Sequence, residues 1–273
     1  MARLGLRILA WLFVVAFAAH AQDSAHAPES AGGIALSSDA EAVLHGLGSS
    51  RCHAQAFGYL CMVKVGGKDV GIVVPKNYRG SGKCLAHFHG LRFASFDGTP
   101  ESTLSYFRFD QALATEAPDT LMIAPVGEHG RSNYSLARDY GSLPKLDALL
   151  SAVEQLTGQK CQRLTLSGHS AGYRVLSPLL AEAKSKPQNP RATTIGHVFL
   201  LDALYGSDVS SFSAWVRASP AHQLYNVSRS GPTREHSLEI ASVPNYHNQK
   251  SEIADHWGLV RDRYFAKFLR ESR

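Results

Sequence analysis

From Tyr59 onward, the hydrophobic residues of this 273-residue chain recur in some segments at the spacing typical of β-strands and in others at the spacing typical of α-helices. Apolar runs at Leu60–Val65 and Val70–Val74 flank Gly66–Asp69, which predicts a β-hairpin. Farther along, strand-like runs alternate with segments of helical spacing, which predicts a mostly parallel sheet with helices on both faces. The later strands are predicted at Leu85–Phe88, Leu121–Ala124, Arg163–Ser167, His197–Leu201 and Gln223–Val227, and the helices at Ser102–Ala114, Leu143–Leu156, the segment after Gly172, Phe212–Val216 and Trp257–Leu269.

The N-terminal segment has a different pattern. Arg3 and Arg7 precede the apolar run Ile8–Ala19, which is too short to span a bilayer comfortably and ends in an Ala-x-Ala cleavage site. This predicts a signal peptide over residues 1–21, with an uncleaved anchor as the alternative. Residues 22–50 are predicted to be a poorly ordered leader with a short helix at Asp39–Leu47, and residues 51–273 a single domain.

The charge of the chain is mildly basic. It has 28 basic and 23 acidic residues, and loss of Arg3 and Arg7 with the signal peptide leaves a net charge of about +3. Because there is no basic run, the sequence does not predict a nucleic-acid partner. It predicts a secreted or periplasmic bacterial protein with no stable membrane insertion after cleavage.

Four cysteines lie in the predicted mature chain. An even number in an exported protein predicts two disulfides, and three pairings are possible. Cys52–Cys61 would close a local loop. Cys84 begins one predicted strand and Cys161 begins another, so both lie at the same end if these strands are parallel neighbours. We therefore favour Cys52–Cys61 together with Cys84–Cys161.

The segment Gly168-His169-Ser170-Ala171-Gly172 carries the strongest chemical signal. It contains Gly-x-Ser-x-Gly directly after a predicted strand and before a predicted helix, as in the nucleophile elbow of serine hydrolases. The glycines suit a strained turn in which flanking side chains must be small. The alternative is an ordinary turn serine. Pro178 fits poorly, because it should kink or end the following helix.

The order of these features resembles that of the α/β-hydrolase superfamily: a hairpin, a His-Gly loop, the elbow and a late histidine. The resemblance extends from about Tyr59 to the C-terminus and looks like a secreted bacterial member of the esterase or lipase kind. It implies the α/β-hydrolase fold and a catalytic triad in the chain order serine, acid, histidine. It implies acyl transfer from Ser170 without a cofactor.

The expected base is His256. It directly precedes the terminal amphipathic segment, where the catalytic histidine of this superfamily lies, and an imidazole there can accept the Ser170 proton. His247 and His236 are the alternatives. A surface histidine beside Asp255 at a helix start is the structural alternative for His256.

The expected acid is Asp202, at the carboxyl end of the strand that follows the nucleophile unit. This departs from the commonest superfamily pattern, in which the acid follows the next strand. No aspartate follows Gln223–Val227, although some members carry the acid one strand earlier. Glu235 and Asp208 are the alternatives, and a helix N-cap is the structural interpretation of Asp202.

The segment Phe88-His89-Gly90-Leu91 resembles the oxyanion loop of lipases and esterases. The backbone N–H groups of Leu91 and Ala171 are expected to stabilise the oxyanion, while His89 braces the loop.

Other functions stay open at this point. An amidase or peptidase would use the same triad. The His87/His89 pair, with His129 and His169 near strand ends, suggests a metal-dependent hydrolase that needs no serine, although carboxylate ligands are lacking nearby. A non-catalytic binding protein of the same fold is the third alternative.

The sequence leaves little room for a cap domain, because only about twenty residues separate Asp202 from the next predicted strand. An open cleft is therefore expected, walled by the loops Gly90–Pro100 and Gly127–Gly141. The candidate wall residues are Arg92, Phe93, Phe96, Arg131, Tyr134, Arg138, Tyr140 and Tyr205. The substrate is expected to be a small or polymer-borne ester.

Overall fold

A computed structural model describes residues 35–90, 99–127, 134–205 and 208–273. The predicted signal peptide and residues 22–34 of the predicted leader lie outside these residues. Within them, no helix is long and apolar enough to cross a membrane.

The described strands form one nine-stranded sheet in the order β1-β2-β3-β5-β4-β6-β7-β8-β9. The strands are β1 Cys52–Ala54, β2 Gly58–Val65, β3 Lys68–Pro75, β4 Lys83–Phe88, β5 Thr120–Pro125, β6 Arg163–His169, β7 Ile195–Leu201, β8 Gln223–Ser228 and β9 Tyr246–Lys250. The first three are antiparallel, β3 joins β5 antiparallel, and all later neighbours are parallel. The mostly parallel sheet is thus confirmed.

The predicted hairpin is formed by β2 and β3. Its connection consists of Gly66 and Gly67, whose φ angles of 55° and 78° lie in the left-handed region. Two such residues match the tight turn whose twist suits a β-hairpin, and glycine adopts this backbone without steric cost.

Helices cover both faces of the sheet. They are α1 Ser38–Leu47, α2 Pro100–Tyr106, α3 Phe109–Glu116, α4 Tyr134–Tyr140, α5 Leu143–Thr157, α6 Tyr173–Ser185, α7 Pro190–Thr194, α8 Val209–Arg217, α9 Pro232–Glu239 and α10 Tyr264–Glu271. Buried residues of α1, α5, α6 and α8 form one apolar cluster, and those of α2, α3 and α10 form a second.

The central strands are buried on both faces because their side chains alternate between the two clusters. In β7, Val198 and Leu200 belong to the first cluster, and Phe199 and Leu201 to the second. Such continuously apolar strands are typical of parallel sheets covered on both sides. The sheet is therefore a rigid support for residues at its carboxyl edge.

Both predicted disulfides are confirmed. Cys52 and Cys61 face each other across β1 and β2. Cys84 is bonded to Cys161, 77 residues away in sequence, near the amino ends of the neighbouring parallel strands β4 and β6.

The domain begins earlier than the expected residue 51. Helix α1 lies within the predicted leader, yet Ala40, Val43 and Leu47 are buried in the core. Ser37 caps the helix by accepting a hydrogen bond from the Ala40 N–H group. The segment therefore contributes apolar surface to the fold, and the boundary at 51 was wrong.

Three helix predictions need correction. The segment Ser102–Ala114 is two helices, α2 and α3, separated at Arg108, whose φ of 52° is left-handed. The segment Trp257–Leu269 begins with a π-helical stretch, Leu259–Arg263, before α10. Helix α6 continues through Pro178, because its buried apolar face outweighs one lost backbone hydrogen bond.

Candidate active site

Ser170 lies on a sharp turn between β6 and α6. Its φ of 51° is in the left-handed region, which is uncommon for a residue with a side chain. Gly172 is sterically required, because a Cβ there would lie 2.2 Å from the Phe88 carbonyl oxygen. A Cβ on Gly168 would lie 2.7 Å from Leu176 Cδ1, so the leucine side chain would have to move. The turn is thus the strained elbow that the motif predicts.

The loop after β4 approaches the same serine. Strands β4 and β6 are hydrogen-bonded neighbours, with Phe88 opposite Gly168. A Cβ on Gly90 would lie 2.7 Å from Ser170 Cβ and 3.2 Å from its Oγ. Ala171, a predicted oxyanion donor, follows Ser170 in the elbow turn and is buried. The other predicted donor, Leu91, lies outside the described residues.

Asp202 and His256 are brought together although 54 residues separate them. The His256 Nδ1 atom lies 2.9 Å from Asp202 Oδ2. Asp202 directly follows β7, with a left-handed φ of 50°, and its backbone N–H donates to the Val227 carbonyl of β8. This geometry orients the imidazole with Nδ1 toward the carboxylate, as the expected acid–base pair requires.

The Asp202 carboxylate is almost completely buried and accepts further hydrogen bonds. Thr233 Oγ1 lies 2.6 Å from Oδ1, the Arg229 N–H donates to Oδ1 at 3.2 Å, and Arg229 Nε donates to Oδ2 at 2.9 Å. Burial alone would raise the pKa of this carboxyl, but the bonds from His256, Thr233 and Arg229 outweigh it and hold the pKa well below its usual value. The carboxylate is therefore ionised.

His256 is also hydrogen-bonded to His169, the residue that precedes the serine of the elbow. The His169 Nε2–H group donates to the His256 carbonyl oxygen at 3.1 Å, and the two imidazole rings lie 4.4 Å apart. The Trp257 ring lies 4.8 Å from the His169 ring. Burial, with the neighbouring His256 and His87, holds the pKa of His169 well below its usual value, so this histidine is neutral. His169 thus links the nucleophile turn to the histidine loop.

Tyr205 lies three residues beyond Asp202 and contacts the Ser170 side chain through its hydroxyl. Its ring pairs with that of Tyr173 at 5.3 Å. Burial raises the pKa of the Tyr205 hydroxyl, which therefore stays protonated at neutral pH. This residue was expected only as part of a cleft wall, and it reaches Ser170 itself.

The two alternative bases make other contacts. His247 lies in β9, stacks on Tyr225 and contacts Gln223 Oε1 at 2.9 Å. His236 lies in α9 and contacts Glu239 at 2.6 Å.

The alternative acids have other surroundings. Glu235 lies in the first turn of α9. Asp208 accepts a hydrogen bond of 2.6 Å from Ser177. Neither residue has a described contact with His256.

His87 and His89 do not present a joint metal-binding surface. His89 Nδ1–H donates to the Gly90 carbonyl at 2.7 Å, and its Nε2 accepts from the Gly127 N–H at 3.3 Å, so both ring nitrogens are engaged. His87 is buried between Phe109 and Phe265, with Nδ1 3.0 Å from Ser167 Oγ. Among the described residues, no three histidine, cysteine, aspartate or glutamate side chains are grouped to hold a metal ion.

The expected cleft walls are only partly described. Arg92, Phe93, Phe96 and Arg131, like His129 of the metal alternative, lie outside the described residues. Tyr140 was expected at the rim, but it is buried in the core, 6.4 Å from the Phe88 ring. Arg138 lies on α4 and pairs with Asp139. A single helix, α8, is described between β7 and β8.

Sequence reasoning missed Arg229 and Thr233, the partners of the acid. Arg229 directly follows β8, the strand beside β7. Side chains at the carboxyl ends of neighbouring parallel strands come together, so that position was a usable signal. Neither residue belongs to a recognised motif.

The sheet order, the elbow at Ser170 and the position of Asp202 at a strand end are those of the α/β-hydrolase fold. Comparison with solved structures agrees. One similar structure is a predicted CIB-like hydrolase from Thermoplasma acidophilum, with a TM-score of 0.52, 17% identity, and coverage of 81% of this chain and 99% of that one. Another is a poly(3-hydroxybutyrate) depolymerase from Bordetella parapertussis, with a TM-score of 0.52, 14% identity, and coverage of 86% and 94%.

A third similar structure is an esterase from Rhizomucor miehei, with a TM-score of 0.52, 10% identity, and coverage of 85% of this chain and 88% of that one. At these identities the likeness establishes the fold. No protein-family model and no curated protein sequence matches the chain.

Proposed function

We propose that this chain is a serine hydrolase that cleaves carboxylic esters through Ser170, His256 and Asp202. The observation that carries the proposal is the 2.9 Å contact between Asp202 and His256. The loop that contains His256 is in turn hydrogen-bonded to His169, the residue that precedes Ser170. A buried aspartate that orients a histidine, on a loop bonded to the strand that leads into a strained serine, supports an arrangement that activates a hydroxyl nucleophile.

The proposed reaction begins when His256 Nε2 accepts the Ser170 proton and Oγ attacks the ester carbonyl. The oxyanion is stabilised by the N–H groups of Ala171 and Leu91. His256 then donates the proton to the departing alcohol, which leaves an acyl-enzyme. Water, deprotonated by His256, attacks the acyl carbon and restores the Ser170 hydroxyl.

The proposed location is outside the cytoplasm of a bacterium. Two disulfides support it, because such bonds persist in oxidising compartments. The predicted signal peptide over residues 1–21 agrees with this location.

Labelling by a fluorophosphonate probe tests the proposal. The oxidised mature chain should be labelled, whereas Ser170→Ala should not, and His256→Ala should be labelled at least about 100-fold more slowly. Ser167→Ala is the matched control, because Ser167 precedes the elbow on the same strand and contacts His87 instead. Equal labelling of wild type and Ser170→Ala would overturn the proposed nucleophile.

Two further measurements separate the alternatives. Paired ester and amide substrates with the same acyl group distinguish an esterase from an amidase or peptidase, since faster amide cleavage contradicts the ester assignment. EDTA-sensitive turnover that survives Ser170→Ala would instead indicate the metal-dependent reaction.

A further inference from the structure

Arg229 is the residue that connects the two partners of the acid–base pair. Its Nε and backbone N–H groups donate to the two Asp202 oxygens, at 2.9 Å and 3.2 Å. Its Nη1 group donates to the Ala254 carbonyl at 3.0 Å. Ala254 lies two residues before His256, so one side chain spans the acid and the histidine loop.

One oxygen of the Asp202 carboxylate contacts two donors. Oδ2 contacts both His256 Nδ1 and Arg229 Nε, each at 2.9 Å. The carboxylate oxygen that faces the imidazole is therefore also held by the guanidinium.

The other charged groups near His256 do not duplicate this contact. His169 is neutral and bonds the His256 carbonyl. Asp255 accepts from the backbone N–H groups of Trp257 and Gly258 and lies 3.5 Å from Arg261. Tyr205 stays protonated at neutral pH.

We propose that Arg229 is a positioning residue for His256: it ties the Asp202 carboxylate to the histidine loop and so fixes the carboxylate oxygen that orients the imidazole. This inference rests on the proposed function. The planar guanidinium suits the role because it directs separate donors to two acceptors, which a lysine ammonium does less well.

The test is the rate of fluorophosphonate labelling, which needs no knowledge of the natural substrate. In Arg229→Gln the rate should fall about 100-fold, because the Asp202 carboxylate and the histidine loop are no longer tied together. Arg229→Lys, which keeps one cationic donor, should recover about tenfold of this loss, so that it is labelled about tenfold more slowly than wild type.

Arg217→Gln is the control, since it removes the same charge from an exposed residue of α8. Near-UV circular dichroism and thermal unfolding establish that each variant is folded. If Arg229→Gln is unfolded, Arg229→Lys alone decides: a folded variant labelled about tenfold more slowly than wild type supports the proposal, and one labelled at the wild-type rate overturns it.

A folded Gln variant that is labelled at the wild-type rate overturns the inference while the proposed function stands. So does a Lys variant that recovers none of the loss. A wild-type chain that the probe does not label overturns the proposed function, and this inference with it.

Discussion

Replacement of Gly90 by alanine tests whether the loop after β4 is packed against Ser170, the proposed nucleophile. The added Cβ would lie 2.7 Å from Ser170 Cβ, whereas nonbonded carbons prefer about 3.5–4.0 Å, so the two segments must separate by roughly 1 Å. A displacement of that size in a catalytic site costs about 100-fold in rate. We therefore expect Gly90→Ala to be labelled by the fluorophosphonate about 100-fold more slowly than wild type.

Gly196→Ala is the matched control, because a Cβ there has no neighbour within 4 Å. It should be labelled at the wild-type rate. Labelling rates are compared at equal concentrations of folded protein, with thermal unfolding measured on each sample. Wild-type labelling of Gly90→Ala, or an equal loss in Gly196→Ala, would refute the steric argument.

Three other changes have defined outcomes. Alanine at both Cys84 and Cys161 should lower the free energy of unfolding by about 4–5 kcal/mol, whereas removal of the nine-residue Cys52–Cys61 link should lower it by about 2.5 kcal/mol. The difference arises because a longer closed loop restricts the unfolded chain more. Urea unfolding measures both losses, and the reverse order would contradict this account. Burial lowers the pKa of His87 to about 3, so the folded protein binds a proton at this histidine less readily than the unfolded chain does. Wild type should therefore lose stability relative to His87→Gln as pH falls from about 6.5 toward 3. A difference in unfolding free energy that does not depend on pH would argue otherwise. Tyr205→Phe removes only the hydroxyl that contacts Ser170, and it should slow labelling about tenfold while thermal unfolding stays unchanged. An unaltered labelling rate excludes a role for that hydroxyl.

The sequence predicted those parts of the fold that have strong local patterns. The hairpin has two adjacent glycines, and the elbow has a glycine on each side of its serine. The amphipathic helix α5 has buried leucines at helical spacing, including Leu146, Leu149 and Leu150. The disulfide partners followed from the inferred pairing of their strands. In the first three cases a few neighbouring residues carry enough information, whereas the disulfides also required the inferred order of the strands.

The missed elements lack such patterns. Strand β9 is polar along its length because it lies at the edge of the sheet, so no hydrophobic alternation marks it. Tyr140 was placed at a rim because tyrosine tolerates both environments, and only tertiary packing decides its burial. The role inferred for Arg229 depends on which strands are neighbours, information that no short segment of sequence contains.

The Cys84–Cys161 bond has a kinetic consequence. It connects the amino ends of β4 and β6, the two strands whose opposite ends carry Gly90 and Ser170. Pairing of parallel strands distant in sequence is a slow step in folding, because a long loop must close first. In a heated but oxidised chain that loop is already closed. We therefore expect activity to return after cooling faster in the oxidised protein than in the reduced one.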